Sequence, residues 1–317
     1  MSGLMLLTSN HTSHNDCWIF NCGHQGIVFC VACALEQLED PGKPPVKKKF
    51  LLTELLKVVV DSDHELLRTL DDEPQVSVHL VSVLIALFAS SDDGIIASAI
   101  EVIVEVCCQL RNEDLVYGLV NQVTSLCLQD SSFQKSLPSL TLIGRLLQSI
   151  PPLADLLQQS YRHFTDYLLT GLKYPEENIQ SAITYILLHL AGGHMSNICK
   201  EPLVKELIKN LLAIIASASS SELTMNSLGL LKKVVENECS VHEIMATDNY
   251  GLASSAFKKV LLSRNGIHQI TVVQCLTQLV LAEKSLKQTT FTESLLSADI
   301  AEFLFECLAT TNDILLR

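Results

Sequence analysis

ENIQSAITYILLHLA, Glu177 to Ala191, is the stretch whose period decides the fold. Ile179, Ala182, Ile183, Ile186, Leu187 and Leu190 fall at i, i+3, i+4, i+7, i+8 and i+11. That spacing is one stripe of an α-helix and excludes a strand, whose side chains alternate every second residue. Its outline recurs about eighty residues earlier in GIIASAIEVIVEV, Gly94 to Val106. There Ile96, Ser98, Ala99, Ile100 and Ile103 repeat the order of Ile179, Ser181, Ala182, Ile183 and Ile186.

The recurrence extends along the chain once it is aligned on a small residue, a large aliphatic one beside it, and another three further on. The anchors are Ala99-Ile100 with Ile103, Ser139-Leu140 with Ile143, Ala182-Ile183 with Ile186, Ser227-Leu228 with Leu231, and Cys275-Leu276 with Leu279. Their intervals are about 40, 43, 45 and 48 residues, within or close to the range of armadillo and HEAT units. In each anchor the small residue would let a neighbouring helix come close, while the aliphatics interlock with the next repeat.

Polar and helix-breaking clusters punctuate the chain at about twenty-residue intervals: Asp71 to Pro74, Ser91 to Gly94, Asp130 to Ser132, Pro151-Pro152, Tyr174-Pro175, Gly192-Gly193, Ser217 to Ser221 and Asn265-Gly266. Such residues cap or end helices, so two helices and two turns make one unit. Helices are predicted over 50–70, 75–90, 94–110, 113–129, 133–149, 153–171, 176–191, 201–216, 221–237, 251–263, 267–283 and 292–309. No alternating strand is read anywhere. The expected fold class is all-α, an α-solenoid of armadillo/HEAT-like helical repeats spanning 28–317. Residues 1–27 are expected to form a poorly ordered or alternative leader. The closing AEFLFECLATTNDILLR lacks a polar capping helix, so the array is expected to be incomplete at its carboxyl end.

Composition bounds the function. Hydrophobic residues make up 48% and charged residues 18%, below the roughly 25% charged content of an ordinary domain. Mean hydropathy is +0.31, yet the longest apolar run, Val78 to Ala89, is well short of the roughly twenty residues of a spanning helix. The amino terminus has no positive region of a secretory signal, so the chain is expected inside the cell and the sequon Asn10-His11-Thr12 unused. Eleven cysteines, an odd number lying mostly within apolar helical patterns, fit thiols in a reducing compartment. A net charge of -13 and a pI near 5.2 argue against a general grip on nucleic acid, which needs clustered Lys and Arg.

Chemical motifs are sparse. His11, His14, Cys17, Cys22, His24, Cys30 and Cys33 form the one dense metal-capable cluster, but Cys30-x-x-Cys33 is followed by ALEQLED, a helical pattern. A buried helix face is the preferred reading of those two thiols, and a small zinc module is the alternative. Asp61-Ser62-Asp63-His64-Glu65 lacks the glycine and distal glutamate of a calcium loop and reads as a helix start. His242-Glu243 lacks the second histidine of a zincin helix. His163, His189 and His194 read as helix-surface or helix-end residues, and no nucleophile elbow, phosphate loop or dinucleotide fingerprint is present. No catalysis and no cofactor are expected. The run Lys43, Lys47, Lys48, Lys49 reads as a solvated linker, with nuclear targeting as its functional alternative.

A solenoid's usual use is a curved surface for other proteins, lined by the polar residues of one helix row. By pattern those residues are Glu101, Glu105, Gln180, Thr184, Asn226, Gln274 and Gln278. Nuclear-import adaptors carry a ladder of tryptophans and asparagines there, whereas this chain has a single Trp, Trp18, outside the array. Import-adaptor function is therefore disfavoured.

ACALEQLEDP (Ala32 to Pro41), KKKFLLTELLKVVVDSDHELLRTL (Lys47 to Leu70) and EPQVSVHLVSVLIALFASSDDG (Glu73 to Gly94) resemble the amino-terminal region of the vertebrate meiosis inhibitor family, also called meiotic double-stranded break formation proteins. The resemblance runs from about residue 28 to the end. It implies a nuclear, non-enzymatic germ-cell scaffold required for programmed DNA breaks and for synapsis of homologues. The implied partners are the break-forming machinery and chromosome-axis accessory factors, and no site residue is transferred by it. The alternatives are a general cytosolic or nuclear HEAT-type adaptor, and the zinc module on a structural array.

Overall fold

The computed structural model describes residues 19–22, 27–61, 65–110, 112–129, 132–160, 162–191, 203–237, 250–263 and 265–310. Among them are sixteen α-helices and one two-stranded hairpin. The chain divides into two compact units, residues 1–150 and 151–317, at the Pro151-Pro152 punctuation.

Unit 1 opens with strands β1 (Ile19–Cys22) and β2 (Ile27–Cys30), paired antiparallel with Phe20 opposite Phe29. Both phenylalanines are buried, and β1 rests on the second helix. Helices α1 (Val31–Glu39), α2 (Pro45–Asp61), α3 (Glu65–Asp72), α4 (Pro74–Ala86), α5 (Asp93–Leu110), α6 (Glu113–Gln129) and α7 (Phe133–Ser149) follow. They pack in two rows, with α2, α5 and α7 touching in succession and α4 touching α6 alongside.

Unit 2 repeats the scheme with α8 (Leu153–Ser160), α9 (Arg162–Gly171), α10 (Glu177–Leu190), α11 (Leu203–Ser217), α12 (Ser221–Val235), α13 (Tyr250–Leu262), α14 (Gly266–Ser285), α15 (Thr290–Ser297) and α16 (Ile300–Thr310). One row is α10, α12 and α14; the other is α11, α13 and α16.

The anchor helices of each unit lie in one row, and the paired aliphatics form its core. Ile100, Ile103, Leu140, Ile143, Ile183, Ile186, Leu228, Leu231, Leu276 and Leu279 are all buried. Each contributes roughly 1.5–3 kcal/mol by leaving water. The small residues Ala99, Ser139, Ser227 and Cys275 are buried too. In α10 the position slips by one: Ser181 is covered and Ala182 is half-exposed. The reason is that α12 reaches α10 on the Ser181 side, where Asn226 and Glu222 meet the serine hydroxyl.

The punctuation works as helix caps. Asp92 Oδ1 accepts from the Gly94 and Ile95 amides before α5, and Asn112 Oδ1 accepts from Leu115 before α6. Ser220 Oγ accepts from Leu223 before α12, and Asn265 Oδ1 from His268 before α14. These bonds satisfy donors that a helix start leaves open.

Several boundaries differ from the sequence reading. Helix α2 begins at Pro45, whose fixed φ suits a first helical position, so Lys47 to Lys49 are helical and not a linker. The span 153–171 divides into α8 and α9. The span 292–309 divides at Asp299, which takes a left-handed φ of 60°, a conformation aspartate tolerates. Within the expected leader, 1–18 and 23–26 lie outside the described residues, but Ile19–Cys22 and Ile27 are strand. Those strands are four residues each and nearly all apolar, too short for a period to show. Cys30 therefore ends a strand, while Cys33 sits in α1, and the two do not share one helix face.

The stacking makes opposite forecasts for two buried positions. Ile183→Ala, at a fully covered site, is expected to cost about 2–5 kcal/mol in urea unfolding. Ser227 is also fully buried, but its hydroxyl has no hydrogen-bond partner. Ser227→Ala is therefore expected to raise the unfolding midpoint, by up to about 1 kcal/mol.

Candidate protein-interaction surface

Polar contacts between successive repeats of unit 2 join residues 40 to 46 positions apart, the interval read from the anchors. Ser181 Oγ donates to Glu222 Oε1 at 3.3 Å and accepts from Asn226 Nδ2 at 3.3 Å. Lys233 Nζ donates to the Leu188 carbonyl at 2.9 Å. Further along, Ser254 and Ser294 hydroxyls meet at 3.2 Å, and the Cys307 thiol faces the Leu261 carbonyl at 3.5 Å. Each bond has one end in each of two repeats, so together they hold the helices in register while the aliphatics supply the attraction.

This ladder decides where the seven predicted surface residues lie. Thr184 is fully buried, its hydroxyl bonded back to the Gln180 and Ser181 carbonyls. Asn226 is buried in the ladder itself. Neither side chain is presented to solvent. Gln180 is half-buried and donates from Nε2 to the Leu172 carbonyl at 3.1 Å, tying α10 to the turn after α9. Gln274 and Gln278 are exposed on α14. In unit 1, Glu101 is exposed on α5, and half-buried Glu105 accepts from Gln109 Nε2 at 2.7 Å. A helix packed on its partner and on a neighbour to either side is covered over more than one stripe, which is how Thr184 and Asn226 came to be enclosed.

The serine run Ser217 to Ser221 is gripped from both neighbouring repeats. Glu177 accepts from the Ser219 amide at 2.8 Å, the Ser219 hydroxyl at 2.9 Å and the Ser220 amide at 2.9 Å. Lys259 Nζ donates to the Ala218 carbonyl at 2.6 Å. The Ser219 amide above all, then its hydroxyl and the Ser220 amide, hold the Glu177 carboxyl below the usual carboxylate range. Unit 1 uses the same device: Lys49 Nζ sits 2.8 Å from Asp92 Oδ1 and lowers that carboxyl, one repeat along. Lys48 Nζ donates to the Leu38 carbonyl at 2.8 Å, and Lys43 pairs with Asp40 at 3.6 Å. Three of the four basic-run lysines are thus engaged within the fold.

On the solvent side of the α10–α12 contact, Tyr185 and His189 meet edge to face with ring centroids 4.6 Å apart. Lys233 stands beside them, and burial followed by the Lys233 charge lowers the His189 pKa. The sequence reading takes His189 as a helix-surface or helix-end residue and passes over Tyr185. The signal was their i, i+4 spacing on the flank of the stripe.

Several described thiols are disfavoured as thiolates by burial. Burial pushes Cys107, Cys127 and Cys275 up to about 12, and Cys33 to about 11. Among the described residues no group of three or more His, Cys, Asp or Glu is placed to hold a metal ion. His11, His14, Cys17, His24, Ser62 to His64, His194 and His242-Glu243 lie outside the described residues. No single described helix is long and apolar enough to cross a membrane.

Residues 29–317 match the family model described as the Meiosis inhibitor protein 1 N-terminal domain. The chain belongs to that family. Its match begins one residue from where the resemblance was read to begin. The meiosis inhibitor relatives include the Homo sapiens protein, 30% identical over 329 residues. The Mus musculus protein is 29% identical over 326 residues. Each alignment covers 98% of this chain, which spans about a quarter of the relatives' length, 25%. Among solved structures, Kap121p bound to RanGTP is similar with a TM-score of 0.58 at 11% identity, over 87% of this chain and 27% of that one. A designed armadillo repeat protein in complex with the peptide (KR)4 is similar with a TM-score of 0.55 at 14% identity, over 78% of this chain and 98% of that one. At such identities the likeness shows the fold alone: this meiosis inhibitor domain is an α-solenoid of armadillo/HEAT-like repeats.

The clamp on the serine run carries a pH signature. Because folding lowers the Glu177 pKa, its stabilisation is present above the ordinary carboxylate range and is lost as pH falls through the lowered value. Glu177→Gln is expected to melt below the wild type near neutral pH, and the gap is expected to narrow in a thermal-melt series as pH falls below the ordinary carboxylate range.

Proposed function

We propose that this chain is a non-catalytic protein-interaction scaffold that acts in the nucleus of germ cells, in meiotic DNA double-strand break formation and the synapsis of homologous chromosomes. The observation that carries the reading is the family match over 29–317, joined to a helical-repeat fold whose successive repeats are tied by polar contacts such as Ser181 to Glu222 and Asn226. A stacked helical repeat offers long rows of side chains to other proteins, and this is its usual work. The partners are the meiotic break-forming machinery and chromosome-axis accessory factors. Binding draws on exposed Gln274 and Gln278, half-buried Gln180, and the Tyr185–His189 pair of unit 2, and on Glu101 and Glu105 of unit 1. Thr184 and Asn226 serve the stack.

Affinity capture from spermatocyte extract, with the whole chain as bait, tests the proposal. Break-forming or axis proteins are expected in the bound fraction, and Tyr185→Ala or paired Gln274→Ala and Gln278→Ala are expected to reduce them without shifting the melting temperature. Equal recovery of the same proteins from somatic extract with all variants would favour the general HEAT-type adaptor and remove the meiotic reading.

A further inference from the structure

We propose that Cys30 and Cys33 form one half of a structural zinc site whose other half is the pair His14 and Cys17. The site is separate from the interaction surface and does not rest on the scaffold reading. Cys30 closes β2 and immediately precedes α1, while Cys33 lies in the first turn of α1. The two thiols therefore bracket a strand-to-helix turn, and they are in hydrogen-bonding contact with each other. A C-x2-C pair held this way brings two sulfurs together, as a tetrahedral zinc ion with bonds of about 2.3 Å to sulfur requires.

The hairpin register bounds where the remaining donors come from. Ile19 stands opposite Cys30, so the chain enters β1 at the end of the ladder where Cys30 leaves β2. Cys17 precedes Ile19 by two residues, and covalent geometry keeps the two Cα atoms within about 7 Å. Cys22 stands opposite Ile27 at the other end, about 10 Å along the ladder, too distant to share the ion. His14 and Cys17 lie outside the described residues and enter by spacing alone: His14-x2-Cys17-x12-Cys30-x2-Cys33. Two close pairs separated by about 12–15 residues are a pattern of small zinc sites, and three thiolates with one imidazole are a common donor set.

The ion has a structural task in unit 1. A hairpin of two four-residue strands is marginal by itself. Here Phe20 and Phe29 are buried and β1 rests on α2. An ion bonded on both sides of the hairpin ties the chain before β1 to the first turn of α1, and closing that loop stabilises the folded state over the open chain. Thiolates are soft ligands that favour zinc over magnesium or calcium. Four protein donors fill the tetrahedron and leave no position for a reacting water, so the site adds stability and no catalysis.

Elemental mass spectrometry of the whole chain, purified without chelator, tests the site. About one zinc per chain is expected. Exchange of the metal for Co(II) is expected to give the intense visible bands of tetrahedral cobalt, with an ultraviolet thiolate-to-cobalt band of the strength of three sulfurs. Cys30→Ser with Cys33→Ser, and separately His14→Ala with Cys17→Ser, are each expected to cut the zinc content at least about fivefold, while Cys22→Ser leaves it unchanged. Where a double variant fails to fold, the cobalt spectrum of the unaltered chain decides, because its ultraviolet band counts the thiolates. Zinc well below one equivalent, an octahedral cobalt spectrum, or iron in place of zinc overturns the site. Zinc retained by either double variant, or lost from Cys22→Ser, overturns it as well. Partner capture is read separately, so failure of the zinc site leaves the scaffold reading standing and failure of the scaffold reading leaves the zinc site standing.

Discussion

A helix pair that cannot cover its own apolar stripe must be covered by another pair, and everything else in this molecule follows from that constraint. Ile183 and Ile186 on α10 are fully buried because α12 lies against them, and Leu228 and Leu231 on α12 gain the same protection within the row it shares with α14. Apolar attraction has no direction, so it alone would let one helix slide on the next. The Ser181–Asn226–Glu222 cluster and the Lys233–Leu188 bond resist sliding, because moving one helix would leave half-buried polar groups without partners. Burial therefore supplies the strength of the stack and hydrogen bonds supply its register.

The same division explains which features were legible in the sequence. Helix period and repeat interval depend on apolar spacing, and the spans 113–129 and 133–149 coincide with α6 and α7. Breaks inside helices depend on single residues. Asp299 in a left-handed conformation ends α15, and nothing in its neighbours' period announces this. The β1–β2 hairpin was invisible because two runs of four nearly all apolar residues are too short to show an alternation, and a pair of such strands is ordered by what it rests on, here α2.

The surface was less legible than the core, for a physical reason. A polar residue beside a small anchor looks solvent-facing when one helix is drawn alone. In the stack, that flank is where the neighbouring helix arrives, so Thr184 and Asn226 are enclosed while Gln274 and Gln278 on α14 remain exposed. Tyr185 escaped attention for the converse reason. An aromatic residue next to an apolar stripe reads as core, yet its ring lies at the rim with the imidazole against it.

Among the described residues, several groups that could do chemistry are tied into the fold. A reactive thiol needs a depressed pKa and access, and Cys107, Cys127 and Cys275 have neither, since burial takes them to about 12. A general acid or base needs a free lone pair or proton facing a cleft, but Glu177 is committed to three donors and buried Glu283 to the Phe291 and Thr292 amides at the start of α15. Carboxylates used this way fasten loops to helices. The side chains of Gln274 and Gln278 on α14 are left exposed, with hydrogen-bonding capacity suited to holding another chain.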